Sequence, residues 1–192
     1  MATQKQRSDA TRQKLLEAFR ASFLARGYEA TTTQQILDET GLSKGALYHH
    51  FRSKSEIIEA LYAHESRAAI DRAVENVAAH GSPLERLKAS YLEWTRTVRA
   101  PDMARILFEI GPSALGEAKS KEIEARAANP PIKRLLALAI DAGEIAPPDE
   151  ELLVGLLNAL VAEAALHQLH TERDPLATLE VTFDAIFAAM RG

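Results

Sequence analysis

The chain has 192 residues, of which 46% are hydrophobic and 26% charged, and its formal net charge is −4. That composition suffices to bury a core in one domain or two small ones. The absence of cysteine excludes disulfides, thiolate catalysis and zinc-finger chemistry. The start, Met-Ala-Thr-Gln-Lys-Gln-Arg, lacks the apolar stretch of a secretory leader. No uninterrupted apolar run reaches about 18 residues, so no membrane span and a cytoplasmic location are expected. Alternating strand patterns and Asn-Gly or Asp-Gly hairpin turns are scarce, which points to an all-α fold of about nine helices. The charge is unevenly spread. Residues 1–54 hold nine Lys/Arg against five Asp/Glu, and the remaining 138 hold 14 against 22. A basic N-terminal module on an acidic body favours docking onto an anion by one end.

Residues 1–8 are polar and are expected to fray. Leu15, Leu16, Phe19 and Phe23 recur at helical spacing from about Asp9 to Arg26, and Gly27 should stop that helix. Residues 32–51 then read as two short helices joined by a tight turn. Thr32 caps the first, with Gln35 at the capping-box position. Gly41 ends it, because glycine tolerates the left-handed conformation that a sharp turn needs. Ser43 caps the second helix, whose Leu47 and Phe51 share one face while Lys44, Tyr48 and His49 occupy the other. Two helices around a short Gly-containing turn form a helix-turn-helix, whose second helix enters a DNA major groove.

Ser53-Lys54-Ser55-Glu56 is a further capping box, opening a long helix expected to reach His80 and to end at Gly81. Ser82-Pro83-Leu84-Glu85 opens the next, carrying Leu87, Tyr91, Trp94 and Val98. Asp102 is expected to cap a short helix with Met103, Ile106, Leu107 and Ile110, broken by Gly111-Pro112. From Glu117 to Ala128 the pattern is helical and charged. Asn129-Pro130-Pro131 should interrupt it, because the residue before a proline is driven out of the helical region. A helix resumes from Ile132 to Ala142. Asp149-Glu150-Glu151 places carboxylates at the start of a helix reaching about His170 that is apolar nearly all round, so it should be buried on more than one side. The last helix spans Pro175 to about Arg191.

The string from Gly27 to Lys54 resembles the DNA-binding domain of the TetR family of transcriptional regulators. The residues that carry the resemblance are Gly27-Tyr28-Glu29-Ala30-Thr31-Thr32, Ile36, and Gly41-Leu42-Ser43-Lys44-Gly45-Ala46-Leu47-Tyr48-His49-His50-Phe51-Arg52-Ser53-Lys54. Beyond that first third of the chain, only length and helical pattern match. Thr33 and Leu37 depart from the family's commoner Val and Ala. The resemblance implies an N-terminal three-helix DNA-binding bundle (1–54) and a C-terminal helical effector-binding and dimerisation domain (55–192). It implies DNA contacts at Thr32, Thr33, Gln34, Gln35, Ser43, Lys44, Gly45, Ala46, Tyr48, His49, His50 and Lys54, with Tyr48, His49 and Lys54 on phosphates. Arg12 and Lys14 are plausible phosphate contacts or solvated surface charges.

The same resemblance implies a small-molecule effector held inside the body. Tyr91, Trp94, Arg105, Phe108, Glu109, Asn158, Glu163 and His167 are the helix residues able to line its pocket. It implies a homodimer whose interface is built by Leu153, Leu157, Leu160, Val161, Ala164, Leu179, Phe183 and Phe187. The long helix from Ser53 would be the lever between effector and DNA. Glu163, His167 and His170 share a helical face, and the sequence leaves open whether they hold a metal. No cofactor and no catalytic constellation are expected, since no Ser–His–Asp order, Gly-rich phosphate loop or His-Glu-x-x-His is present. The expected function is a repressor that binds a palindromic double-stranded operator as a homodimer and is released by a small molecule. The rivals are an activator or partner-controlled regulator of the same fold, and a helical ligand-binding protein without DNA function.

Overall fold

The computed structural model describes residues 3–77 and 80–191. Among these, all regular structure is helical. The elements are α1 (Gln4–Ala30), α2 (Thr33–Thr40), α3 (Lys44–His50), α4 (Lys54–Asn76), α5 (Pro83–Thr97), α6 (Pro101–Ala104), a π-helical turn (Arg105–Ile110), α7 (Gly111–Leu115), α8 (Glu117–Asp141), α9 (Glu150–Thr171) and α10 (Leu176–Ala189). The chain divides into two compact units. The first comprises Met1–Glu65 and Arg105–Ile123, the second Ser66–Ala104 and Glu124–Gly192.

The first unit is built on local signals that the sequence carries. α1 begins earlier than expected. Thr3 and Gln6 form a reciprocal capping box, so the polar residues 3–8 belong to an ordered helix start rather than a frayed end. Gly27 breaks the helix as anticipated, with φ 83° and ψ 168°, and a last short turn follows to Ala30. Thr32 and Gln35 form the second capping box, Gly41 adopts the left-handed conformation at φ 68°, and Ser43 accepts from the Ala46 N–H at 3.1 Å. These caps supply partners for helix-end N–H groups that would otherwise have none.

The core of this unit contains Leu15, Leu16, Phe19 and Phe23 of α1, Ile36 and Leu37 of α2, and Leu47 of α3 with Phe51 just after it. It also contains Ile57, Ile58, Leu61 and Tyr62 of α4. The motif-bearing unit therefore extends past residue 54. The first half of α4 is one of its walls, and a helix cannot be divided where its apolar face is buried.

An expected cap and an expected break did not occur here. Asp102 was expected as a cap but lies in the first turn of α6, which opens at Pro101. Proline is accommodated there because a first-turn N–H has no intrahelical partner to lose. Gly111-Pro112 does not end the helical run, since the π turn leads directly into α7 with Pro112 in its first turn. Gly111 is buried, and the Tyr62 hydroxyl donates to the Leu107 carbonyl at 3.2 Å.

In the second unit Ser82 and Glu85 form the third capping box, and Glu144 accepts from the Ser82 hydroxyl at 2.8 Å and the Leu84 N–H at 2.9 Å. The core gathers Leu87 and Tyr91 of α5, Ile132, Leu136 and Ala139 of α8, Leu153, Leu157 and Val161 of α9, and Leu179, Phe183 and Phe187 of α10. Asn129-Pro130-Pro131 was expected to interrupt a helix, yet α8 runs through both prolines. The prolines forfeit two ladder hydrogen bonds, whereas Ile132, Leu136 and Ala139 beyond them are held in the core, so burial outweighs the local preference. α4 is helical to Asn76 rather than to His80, with residues 78 and 79 of that stretch outside the described residues. α9 is long and apolar enough to cross a membrane by length and composition. Its Leu153, Val154, Leu157, Val161 and Ala165 are instead buried in the protein.

The packing at Gly111 yields a test. A Cβ there would stand 2.2 Å from Tyr62 Cδ2 and 2.8 Å from the Ile106 carbonyl oxygen. Gly111→Ala is therefore expected to lower stability by about 1–3 kcal/mol or more in urea unfolding, the cost of forcing a methyl into a filled core. An unchanged midpoint would contradict this packing.

Candidate nucleic-acid interface

α3 is only seven residues long, too short to be stable alone. Its orientation is set by Leu47 and Phe51, which are buried. The other face is left outward. Lys44, Gly45, Tyr48 and His49 are exposed, and Ala46 and His50 partly so. Tyr48 is 46% exposed, which removes a core role for its ring. The Lys44 ammonium lies 5.8 Å from the Tyr48 ring centroid, a loose cation–π pair one turn apart. Such a face offers a cation, an aromatic hydroxyl and an imidazole, with Gly45 and Ala46 small enough for close backbone approach.

His49 and His50 stack edge to face at 5.0 Å. The His50 pKa is lowered, first by burial, then by His49 and Arg12, with Asp9 opposing. At neutral pH His50 is thus an uncharged hydrogen-bonding group.

The N-terminal end of α2 is partly committed to its own structure. The Gln35 Oε1 accepts from the Thr32 N–H at 2.9 Å and from its hydroxyl at 3.1 Å, and Gln34 Nε2 donates to Asp38 at 2.8 Å. Thr32 is exposed and Thr33 half-buried. Ser43 is exposed, with its hydroxyl engaged as the α3 cap.

Three basic residues expected near phosphate have partners within the protein. Lys14 donates to the Thr40 carbonyl at the end of α2 at 3.0 Å, and the Arg12 guanidinium lies 5.1 Å from the Phe51 ring centroid. Lys54 points inward. Its ammonium donates to the carbonyls of Tyr28, Thr31 and Glu29 at 2.9, 3.2 and 3.4 Å, and stands 4.2 Å from the Tyr28 ring centroid. The buried Glu65 carboxylate accepts from Arg20 Nε at 2.7 Å, an interaction between residues 45 apart that no motif announces.

The residues expected around an effector fall in both units. Tyr91, Trp94, Asn158, Glu163 and His167 lie in the second, Arg105, Phe108 and Glu109 in the first. The Tyr91 hydroxyl donates to Asn158 Oδ1 at 3.1 Å, and Asn158 Nδ2 donates to Asn129 Oδ1 at 3.1 Å. Burial raises the Tyr91 pKa, so the phenol stays protonated. Trp94 is partly buried against the same core, and Glu163 and His167 are exposed. Arg105 instead donates to the Leu24 carbonyl at 2.8 Å and faces Glu109 at 3.7 Å. Asn129 was not singled out in the sequence, where the prolines after it mark only a break. Among the described residues no group of three or more His, Cys, Asp or Glu is placed to hold a metal, and Glu163, His167 and His170 form no such set.

Of the eight residues expected at a subunit interface, Leu153, Leu157, Val161, Leu179, Phe183 and Phe187 are buried in the core of their own chain. Leu160 and Ala164 pack partly against it. The exposed large apolar residues of the same two helices are Leu152 and Leu156 of α9 and Val181 of α10, at 58%, 52% and 70% exposure.

Comparison with known proteins agrees with this arrangement. The family described as bacterial regulatory proteins, tetR family, matches residues 15–61, and the tetracyclin repressor-like C-terminal domain matches residues 84–192. The chain is 37% identical over 84 residues to the HTH-type transcriptional repressor KstR2 of Mycobacterium tuberculosis, covering 44% of this chain and 42% of that protein. It is 35% identical over 74 residues to the HTH-type transcriptional regulator TtgR of Pseudomonas putida, covering 38% and 35%. The match thus spans less than half the length of these two relatives. The transposon Tn10 TetC protein of Escherichia coli is 24% identical over 189 residues, 96% of this chain and 92% of that one. A TetR transcriptional regulator from Chloroflexus aurantiacus shares the fold, with a TM-score of 0.70 at 22% identity over 96% of this chain and 97% of that one. With one family model on the helix-turn-helix and a second on more than half of the chain, this protein belongs to the tetR family of bacterial regulatory proteins.

Proposed function

We propose that the protein is a cytoplasmic, sequence-specific transcriptional repressor that binds a palindromic operator as a homodimer and is released by a small molecule. The observation that carries this reading is the outward surface of α3, where Lys44, Gly45, Tyr48 and His49 are exposed while Leu47 is buried. Lys44 reads guanine or holds a phosphate, Tyr48 and His49 hold phosphates, and Ala46 approaches a thymine methyl. Thr32 and Thr33 meet the backbone at the start of α2. The repressor sense is carried over from relatives such as KstR2, whose name states it.

Homodimerisation is supported by Leu152, Leu156 and Val181, large apolar side chains left exposed on α9 and α10. The effector reading is supported by the Tyr91–Asn158–Asn129 hydrogen-bond chain, polar groups set within an otherwise apolar core. An effector acts only if it binds the released form better than the DNA-bound form, and by linkage DNA must weaken its binding equally.

Selection of bound duplexes from a random pool tests the reading and supplies the operator. Lys44→Ala and Tyr48→Ala should each weaken binding to the selected duplex by about 1–3 kcal/mol while leaving helix content unchanged. If Lys44 touches phosphate alone, its loss should also reduce the salt slope by about one. Full affinity in both variants would remove α3 from the interface. For assembly, Leu156→Glu and Val181→Glu should give folded monomers in sedimentation, because a carboxylate buried without a partner costs several kcal/mol. A wild-type monomer at micromolar concentration would defeat the dimer.

A further inference from the structure

His50 closes α3 and is partly buried where that helix meets α1. Its ring centroid lies 6.4 Å from that of Phe51, and the Arg12 guanidinium of α1 lies 5.1 Å from the same Phe51 centroid. Phe51 is buried, so one anchored ring holds both groups in place. Arg12 and His49 are exposed, and His49 stacks edge to face on His50 at 5.0 Å. The groups whose charge acts on His50 are His49 on its own helix and Arg12 and Asp9 on α1. Burial, His49 and Arg12 disfavour a proton on His50, and Asp9 opposes them. A phosphate reverses that balance. Its negative charge favours the imidazolium over the neutral ring, and an imidazolium donates from both nitrogens where the neutral ring donates from one. The exposed Arg12 fork offers the same phosphate charge-assisted hydrogen bonds.

Building on the DNA-binding reading above, we propose that Arg12 and His50 together hold one DNA backbone phosphate at the α1–α3 seam, and that His50 takes up a proton from solvent as the phosphate arrives. The proton comes from water or buffer, and no covalent bond to the DNA forms or breaks. A group that binds a proton more tightly in the complex than in the free protein makes the complex tighter as pH falls. At high pH His50 is uncharged in both states and adds nothing. The gain appears as pH falls through the value His50 holds beside phosphate. It levels off below the lowered value His50 holds in the free protein.

The test measures binding of wild type, His49→Gln, His50→Gln, His50→Lys and Arg12→Met to the selected duplex and to a random-sequence duplex, from pH 6 to pH 8 and across a range of salt. Calorimetry at pH 7 in PIPES and in Tris, whose ionisation enthalpies differ, counts the protons exchanged. Wild-type affinity for both duplexes should rise by about five-fold or more between pH 8 and pH 6, where each pKa unit gained by His50 allows about ten-fold. Calorimetry should show proton uptake in wild type and in His49→Gln. His50→Gln and His50→Lys should lose the uptake and the pH dependence. Arg12→Met should weaken both duplexes alike and lower the salt slope by about one, as loss of a phosphate contact does. His50→Lys and the wild-type proton count decide the matter if His50→Gln does not fold. The proposal is overturned if wild type binds without taking up protons, if His50→Gln keeps the wild-type uptake, or if Arg12→Met leaves the salt slope unchanged. Failure of the wild type to bind any duplex at any pH would overturn the DNA-binding reading and the proposal with it, whereas binding without proton uptake overturns the proposal alone.

Discussion

Everything at the DNA-facing end depends on the burial of one side of α3. Seven residues cannot pay for helix nucleation from their own hydrogen bonds. The helix exists because Leu47 and Phe51 are removed from water alongside Ile36, Leu37, Phe19 and Phe23. Leu47 fixes which face is inside, so Gly45 and His49, about 160° from it around the helix, fall outside, and Lys44 and Tyr48 are exposed on its flanks. Leu37, larger than the residue common in the family, is accommodated in the same core at 8% exposure.

Around that core the cations are used in an unexpected way. Residues 1–54 carry more Lys/Arg than Asp/Glu, which suggests a broad basic surface. Several of those charges are bound to the protein itself. Lys14 caps the end of α2, Lys54 the end of α1, Arg26 pairs with Glu39 at 2.5 Å, and Arg20 pairs with the buried Glu65. A carbonyl at a helix end attracts cations for the same reason that a phosphate does, so net charge alone overstates what is free to meet DNA. Lys44, exposed on α3, is placed differently from Lys14 and Lys54 although all three are lysines in the same short stretch.

The second unit shows the reverse relation between apolar surface and structure. α9 and α10 build the core around the Tyr91, Phe183 and Phe187 rings, with Tyr91 and Phe183 centroids at 5.5 Å. They still leave Leu152, Leu156 and Val181 outside. A side chain such as Leu157 therefore reports on the stability of the single chain, and only the outward residues report on assembly.

The local grammar of this protein was legible in its residues. The capping boxes at Thr32 and Ser82, the Ser43 cap, the left-handed Gly41 and the break at Gly27 act over four residues or fewer, so adjacent side chains determine them. Helical spacing put Gly45 and His49 opposite Leu47, while the exposure of Lys44, an i,i+3 neighbour of Leu47, is seen only in the fold. What tertiary structure decided were choices between partners far apart in sequence. Lys54 could have faced solvent, and it turned to carbonyls up to 26 positions away. Leu153 and Leu152 are neighbours of equal hydropathy, yet only the core of the second unit selects Leu153 for burial. Helical order through Pro130-Pro131 and the π turn before Gly111 persist because burial on either side outweighs local preference. Spacing along a helix states which residues share a face, while the identity of what meets that face belongs to the folded chain.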